Sequence, residues 1–82
     1  MTKEELLTFL ECNRSKLKYH TVYLNKKALE QFAIGYFLDS KSNKFLVYEV
    51  SERQSLIEIA SFKNEEEAIA EFYEIVKYRC RI

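Results

Sequence analysis

Residues 32–61 decide the fold: Phe32-Ala33-Ile34-Gly35-Tyr36-Phe37-Leu38, the polar link Asp39-Ser40-Lys41-Ser42-Asn43, Lys44-Phe45-Leu46-Val47-Tyr48-Glu49-Val50, the turn Ser51-Glu52-Arg53-Gln54, and Ser55-Leu56-Ile57-Glu58-Ile59-Ala60-Ser61. Apolar residues recur with period two in each run, and turn-forming residues separate the runs. The pattern predicts strands over 32–38, 44–50 and 55–61, joined as an antiparallel meander. In the first strand Phe32, Ile34, Tyr36 and Leu38 share a face, and Gly35 lies opposite, where it marks a bulge or a close approach. In the second, Leu46, Tyr48 and Val50 are assigned to the core and Phe45, Val47 and Glu49 to the outside. In the third, Ile57 and Ile59 point inward and Glu58 outward.

Working outward, both flanks read as helices. Thr2 caps the first, with Glu5 closing a capping box, and Leu6, Leu7 and Leu10 form its apolar stripe over about 3–13. Asn64 caps the second, with Glu67 at its third position closing another capping box. Ala68, Ile69, Phe72, Ile75 and Val76 recur at helical spacing from 65 to about 79. In residues 16–31, Leu17 to Leu24 can alternate as a strand or form a loop that lays Leu17, Val22 and Leu24 on the core; the loop is favoured, followed by a short helix near 26–30 opened by Asn25. The expected fold class is α+β, a single domain over 1–82: a three-stranded antiparallel meander packed against N- and C-terminal helices, in the order α-β-β-β-α. Such a sheet is roofed on one face and left open on the other.

The chain has 82 residues, no Pro, one Gly, two Cys and one His. Its 13 basic and 13 acidic residues cancel, so no general field draws it to nucleic acid or anionic lipid. The signs are segregated, however. Glu65, Glu66, Glu67, Glu71 and Glu74 precede Lys77, Arg79 and Arg81, the order that suits one helix dipole. No stretch reads as a membrane span, and Lys3-Glu4-Glu5 ahead of a short apolar stretch does not read as a secretory leader. Two free thiols suit a reducing compartment, so a cytoplasmic location is expected.

Catalysis has little to build on. His20 is the lone histidine, and a nucleophile pair with Cys12 would need a proximity that the spacing does not supply. Glu65, Glu66 and Glu67 sit where they serve a helix start. Gly35 alone makes no phosphate loop, and the Cys and His content does not make a zinc site. The expectation is a non-enzyme with no cofactor and no metal. The α-β-β-β-α order also belongs to the double-stranded-RNA-binding domain, which meets phosphates at the start of its last helix. Three glutamates at that position would repel them, which argues against nucleic acid.

Six Tyr and six Phe point instead to protein contacts. Phe45 and Val47, with Glu49 and Glu58 beside them and Glu52 and Arg53 at the adjoining turn, form the first candidate surface; Tyr48 stands behind it. Tyr19, His20 and Tyr23, ringed by Lys16, Lys18, Lys26 and Lys27, form the second. An open sheet face also allows pairing into a homodimer.

The residues Gly35-Tyr36-Phe37-Leu38-Asp39, Lys44-Phe45-Leu46-Val47-Tyr48-Glu49, Glu52-Arg53 and Phe62-Lys63-Asn64-Glu65-Glu66-Glu67-Ala68 resemble the small immunity proteins of bacterial polymorphic toxin systems. The likeness covers about residues 34–77. The family's usual Trp in the second strand is Phe45 here, and the glycine often found after the Arg is Gln54. The resemblance implies a cytoplasmic inhibitor that binds a cognate toxin domain and neutralises it by non-covalent occlusion.

Overall fold

The computed structural model describes residues 1–17 and 20–82. Helix α1 spans Lys3–Cys12, and a single 3-10 turn follows at Arg14–Lys16. Strands β1 (Thr21–Tyr23), β2 (Ala33–Asp39), β3 (Lys44–Val50) and β4 (Leu56–Phe62) precede helix α2 (Glu65–Cys80). Among the described residues the strands form one sheet in the order β1-β2-β3-β4. The fold is α+β as expected, with helices at both ends. The sheet is mixed rather than a pure meander, because β1 pairs with β2 in parallel, whereas β2–β3 and β3–β4 are antiparallel.

Both helix starts follow their capping residues. The Thr2 hydroxyl accepts from the Glu5 amide, and the Glu5 carboxylate accepts from the Thr2 amide, a complete box. Backbone and side-chain bonds from Thr2 hold the Glu5 carboxyl below its ordinary value. At α2 the Asn64 side chain accepts from the Glu67 amide. The reciprocal contact runs from the Asn64 side-chain amide to the Glu67 carboxylate, not from the Asn64 backbone.

The short helix expected at 26–30 does not form. Asn25 takes a left-handed φ of 54° instead of the extended backbone of a cap. The amides that would build the first turn are already engaged: Lys26 donates to the Tyr36 carbonyl at 2.9 Å and Ala28 to the Tyr48 hydroxyl at 3.1 Å. The expected strand residue Phe32 also lies outside β2. Its φ is 61°, and its amide donates to the Val50 carbonyl at 3.1 Å.

The facing of β3 is the reverse of the expectation. Val47 is fully buried against α1 and α2 with Leu6, Ile34, Tyr36, Ile69, Phe72 and Val76, and Phe45 packs at the edge of that cluster. Tyr48 and Val50 lie on the other face with Ala33 in a second, smaller core, flanked by Tyr23, Phe37 and Leu56. The segment after β1 crosses this second face, so it is only partly open. Gly35 marks a close approach rather than a bulge. A Cβ there would sit 2.6 Å from the Tyr23 carbonyl oxygen and 2.8 Å from the Tyr48 hydroxyl. The bulge lies in β4, where Val47 pairs with Ala60 but Tyr48 with Glu58, leaving Ile59 as the extra residue.

Candidate binding surface

The helix side of the sheet ends at β4, a strand whose outer edge has no partner among the described residues. Register places Ala60 and Phe62 on that side, opposite Val47 and Phe45. The bulge brings Ile59 there as well, next to Ile75 and Tyr78 of α2. Between β4 and α2 runs a groove. One end is lined by Phe62, Glu67, Ala70, Glu71 and Glu74. The middle is lined by Ile59, Glu71, Glu74, Ile75 and Tyr78, with the Glu49–Arg79 pair at its floor.

Glu49 explains how a carboxylate comes to lie on the helix side of β3. Arg79, from the last turn of α2, donates to it at 2.6 Å. The Glu49 side chain is only 19% exposed and Arg79 43%, so the pair is partly withdrawn from water. Such a pair fixes the end of α2 over the sheet more than it adds net stability. Around it stand large apolar side chains that the fold leaves in solvent: Ile57 at 46%, Ile59 at 38% and Tyr78 at 76% exposure. Apolar surface at an unpaired strand edge is the kind of feature that interfaces use.

The residues singled out in the sequence fall in several places. Phe45 and Val47 do not form an exposed centre; they face the helices, and Val47 offers no surface at all. Tyr48 is buried, its hydroxyl donating to the Lys26 carbonyl at 2.7 Å while accepting from Ala28. Burial raises its phenol above the ordinary value. Glu58 is exposed and pairs in register with Tyr48, on the face away from the helices. Glu52 and Arg53 are exposed in the β3–β4 turn, where the Gln31 side chain donates to the Glu52 carbonyl.

In the second candidate patch, Tyr19 lies outside the described residues. His20 is half-buried, with Nδ1 3.1 Å from the Phe32 carbonyl oxygen and its ring edge-on to Phe32. Tyr23 flanks the second core, with the Lys26 ammonium 5.6 Å above its ring and its phenol raised chiefly by Glu30. The structure therefore does not gather the sequence-derived residues into one surface.

It brings Glu49 together with residues the sequence reading did not single out as contacts: Arg79, Ile57, Ile59, Tyr78, Glu71 and Glu74. Part of that signal is present in the sequence. Glu67, Glu71 and Glu74 recur at the spacing of one helix face, and Arg79 is the cation that a half-buried Glu49 requires.

Glu65 is part of the fold rather than of a solvated acidic start: the Tyr36 hydroxyl donates to it at 2.9 Å and Lys3 lies 3.7 Å away. Among the described residues no group of three or more His, Cys, Asp and Glu is placed to hold a metal ion. No helix there is long and apolar enough to cross a membrane. Comparison with protein-family models, curated proteins and solved structures finds no match.

Proposed function

We propose that this chain is a non-catalytic binding protein of the immunity type, which neutralises a cognate bacterial toxin domain by seating on it non-covalently. The observation that carries the reading is the apolar edge formed by Ile57, Ile59 and Tyr78 over the partly buried Glu49–Arg79 pair, with Glu71 and Glu74 at its margin. An apolar centre with a polar rim is the usual anatomy of a protein interface. The sequence resemblance over residues 34–77 supplies the identity of the partner class. Working inside the producing cell, such an inhibitor needs fast capture and slow release. Rim charges serve the first and buried apolar contacts the second.

The test is co-expression with the toxin-domain gene adjacent to this one. Growth restored by this chain, together with a stoichiometric complex on gel filtration, is the expected result. No toxin-like neighbour, or toxicity undiminished by the chain, would overturn the reading. A homodimeric interaction module is the second reading. It rests on the unpaired edge of β4 and predicts a dimer for the purified chain alone.

A further inference from the structure

We propose that the groove between β4 and α2 receives an extended, basic and apolar segment of a partner protein, which adds to β4 as a fifth strand. The inference rests on the binding role proposed above and specifies where the contact is made and with what chemistry.

Three observations define the occupant. First, the outer edge of β4 makes no backbone hydrogen bond beyond β3 among the described residues, so alternate N–H and C=O groups face outward. An added strand satisfies such a row directly. Second, the exposed apolar groups of the groove lie on the helix side of that edge. Ile59 from β4 lines the groove with Ile75 and Tyr78 from α2, Phe62 lines its far end, and Ile57 lies on the same side of the strand, so the occupant turns every second residue toward α2 and carries apolar side chains among them. Third, the α2 wall is acidic. Glu67, Glu71 and Glu74 line it, and Glu71 forms no ion pair among the described residues. Among the described residues that line this stretch the cation is Arg79, held by Glu49, and Lys77 lies 4.0 Å from Glu74. The wall from 67 to 78 is about 16 Å long, enough for five residues of extended chain.

A second copy of this chain fits the edge poorly. Antiparallel pairing of two β4 strands about an axis normal to the sheet sets both α2 walls on one side of the seam. Glu67, Glu71 and Glu74 would then face their own equivalents, which is repulsive. Lys or Arg at some of the α2-facing positions of the incoming strand answer the same wall favourably.

The test uses the full chain as bait for a display library of random segments about eight residues long. Expected are enriched sequences that lack Pro and whose alternate positions, the ones turned toward α2, hold β-branched residues and Lys or Arg together. The best of these, made as a synthetic peptide, should shift the amide signals of 56–62 and 67–78. It should bind Glu71→Lys/Glu74→Lys at least about tenfold more weakly. Glu11→Lys/Glu30→Lys, with the same change in net charge but remote from the groove, should bind it within about twofold. N-methylation at alternate peptide positions should abolish binding in one phase and spare it in the other.

No enrichment, acidic sequences, equal loss in both double variants, or a dimer of the free chain broken by Ile59→Arg would each overturn the proposal. A toxin domain bound equally by wild type and Glu71→Lys/Glu74→Lys would also overturn it, while leaving the immunity reading intact. Basic segments captured at this edge when no toxin is neutralised would uphold it alone.

Discussion

Tyr48 and Gly35 form one device across the second face of the sheet. The phenol lies over the bare Cα of Gly35 and reaches the backbone at Lys26 and Ala28. Gly35 has no positive φ, so its role is space rather than conformational freedom. Gly35→Ala should destabilise the chain by about 1–3 kcal/mol, read from the urea midpoint, because the nearest atom belongs to the backbone of β1 and cannot swing aside. Adding Tyr48→Phe should not restore the loss, since the Tyr23 carbonyl remains. Tyr48→Phe alone leaves the part-buried Ala28 amide without its acceptor and should cost about 1–3 kcal/mol. Amide exchange should rise in 24–31 and stay slow in α2; unchanged exchange in that segment would show that the hydroxyl does not hold it. Gln54 sits at φ 61°, the left-handed region that favours glycine. Gln54→Gly should therefore be neutral or stabilising by up to about 1 kcal/mol, the left-handed penalty being partly offset by glycine's greater entropy loss. A clear loss of stability would mean that the Gln54 side chain has a role in the turn.

At the scale of elements, the helices were legible because their signals are local. Thr2 with Glu5 and Asn64 with Glu67 are short-range patterns, and each produced a capped start. Asn64→Ala should cost about 1 kcal/mol in thermal or urea unfolding, as loss of a side-chain cap does. A negligible loss would place the stability of α2 in its packing alone. The strand boundaries were legible too, but the facing of β3 was not. Phe45, Val47 and Glu49 compete with Leu46, Tyr48 and Val50, and both sets are largely apolar because both faces are covered. Glu49 tips the balance toward placing its own set outside, since a carboxylate belongs in water unless it is paired. Its partner Arg79 lies 30 residues away on another element, a coupling that no local pattern carries. Strand β1 was outweighed by the loop reading for a similar reason. Three residues give too little alternation to stand out, and their parallel partner lies beyond a connection with no secondary structure of its own. The candidate edge followed the same division: Ile57, Glu58 and Ile59 were read as a strand, but their position at the rim depends on the sheet order.

The whole molecule is a plate of 35 × 31 × 16 Å, thin enough that the buried Tyr36 and Tyr48 sit in different layers. Tyr36 lies in the helix-side core, donating to Glu65, and Tyr48 lies in the second core, donating to the Lys26 carbonyl. Burial raises both phenols, and the Glu65 carboxylate raises Tyr36 further. A group whose folded pKa exceeds its unfolded value contributes stability that is fully present below the unfolded value. That contribution disappears as pH rises through the folded one. An unfolded tyrosine ionises near pH 10, so the chain should keep its full margin at neutral pH and lose stability as pH climbs above about 10. Both layers should loosen together, because ionising either phenol places a charge in a core. Phenolate absorbance should show Tyr36 and Tyr48 ionising only at the pH where the fold is lost, with Tyr23, raised chiefly by Glu30, also titrating late. Urea midpoints measured from neutral pH to about pH 11 should fall steeply for the wild type. Tyr36→Phe/Tyr48→Phe should be less stable at neutral pH, having lost both hydroxyl contacts, yet flatter above pH 10. If the double variant follows the same alkaline slope as the wild type, these two phenols do not couple the layers to pH, and the loss must come from the surface charges instead.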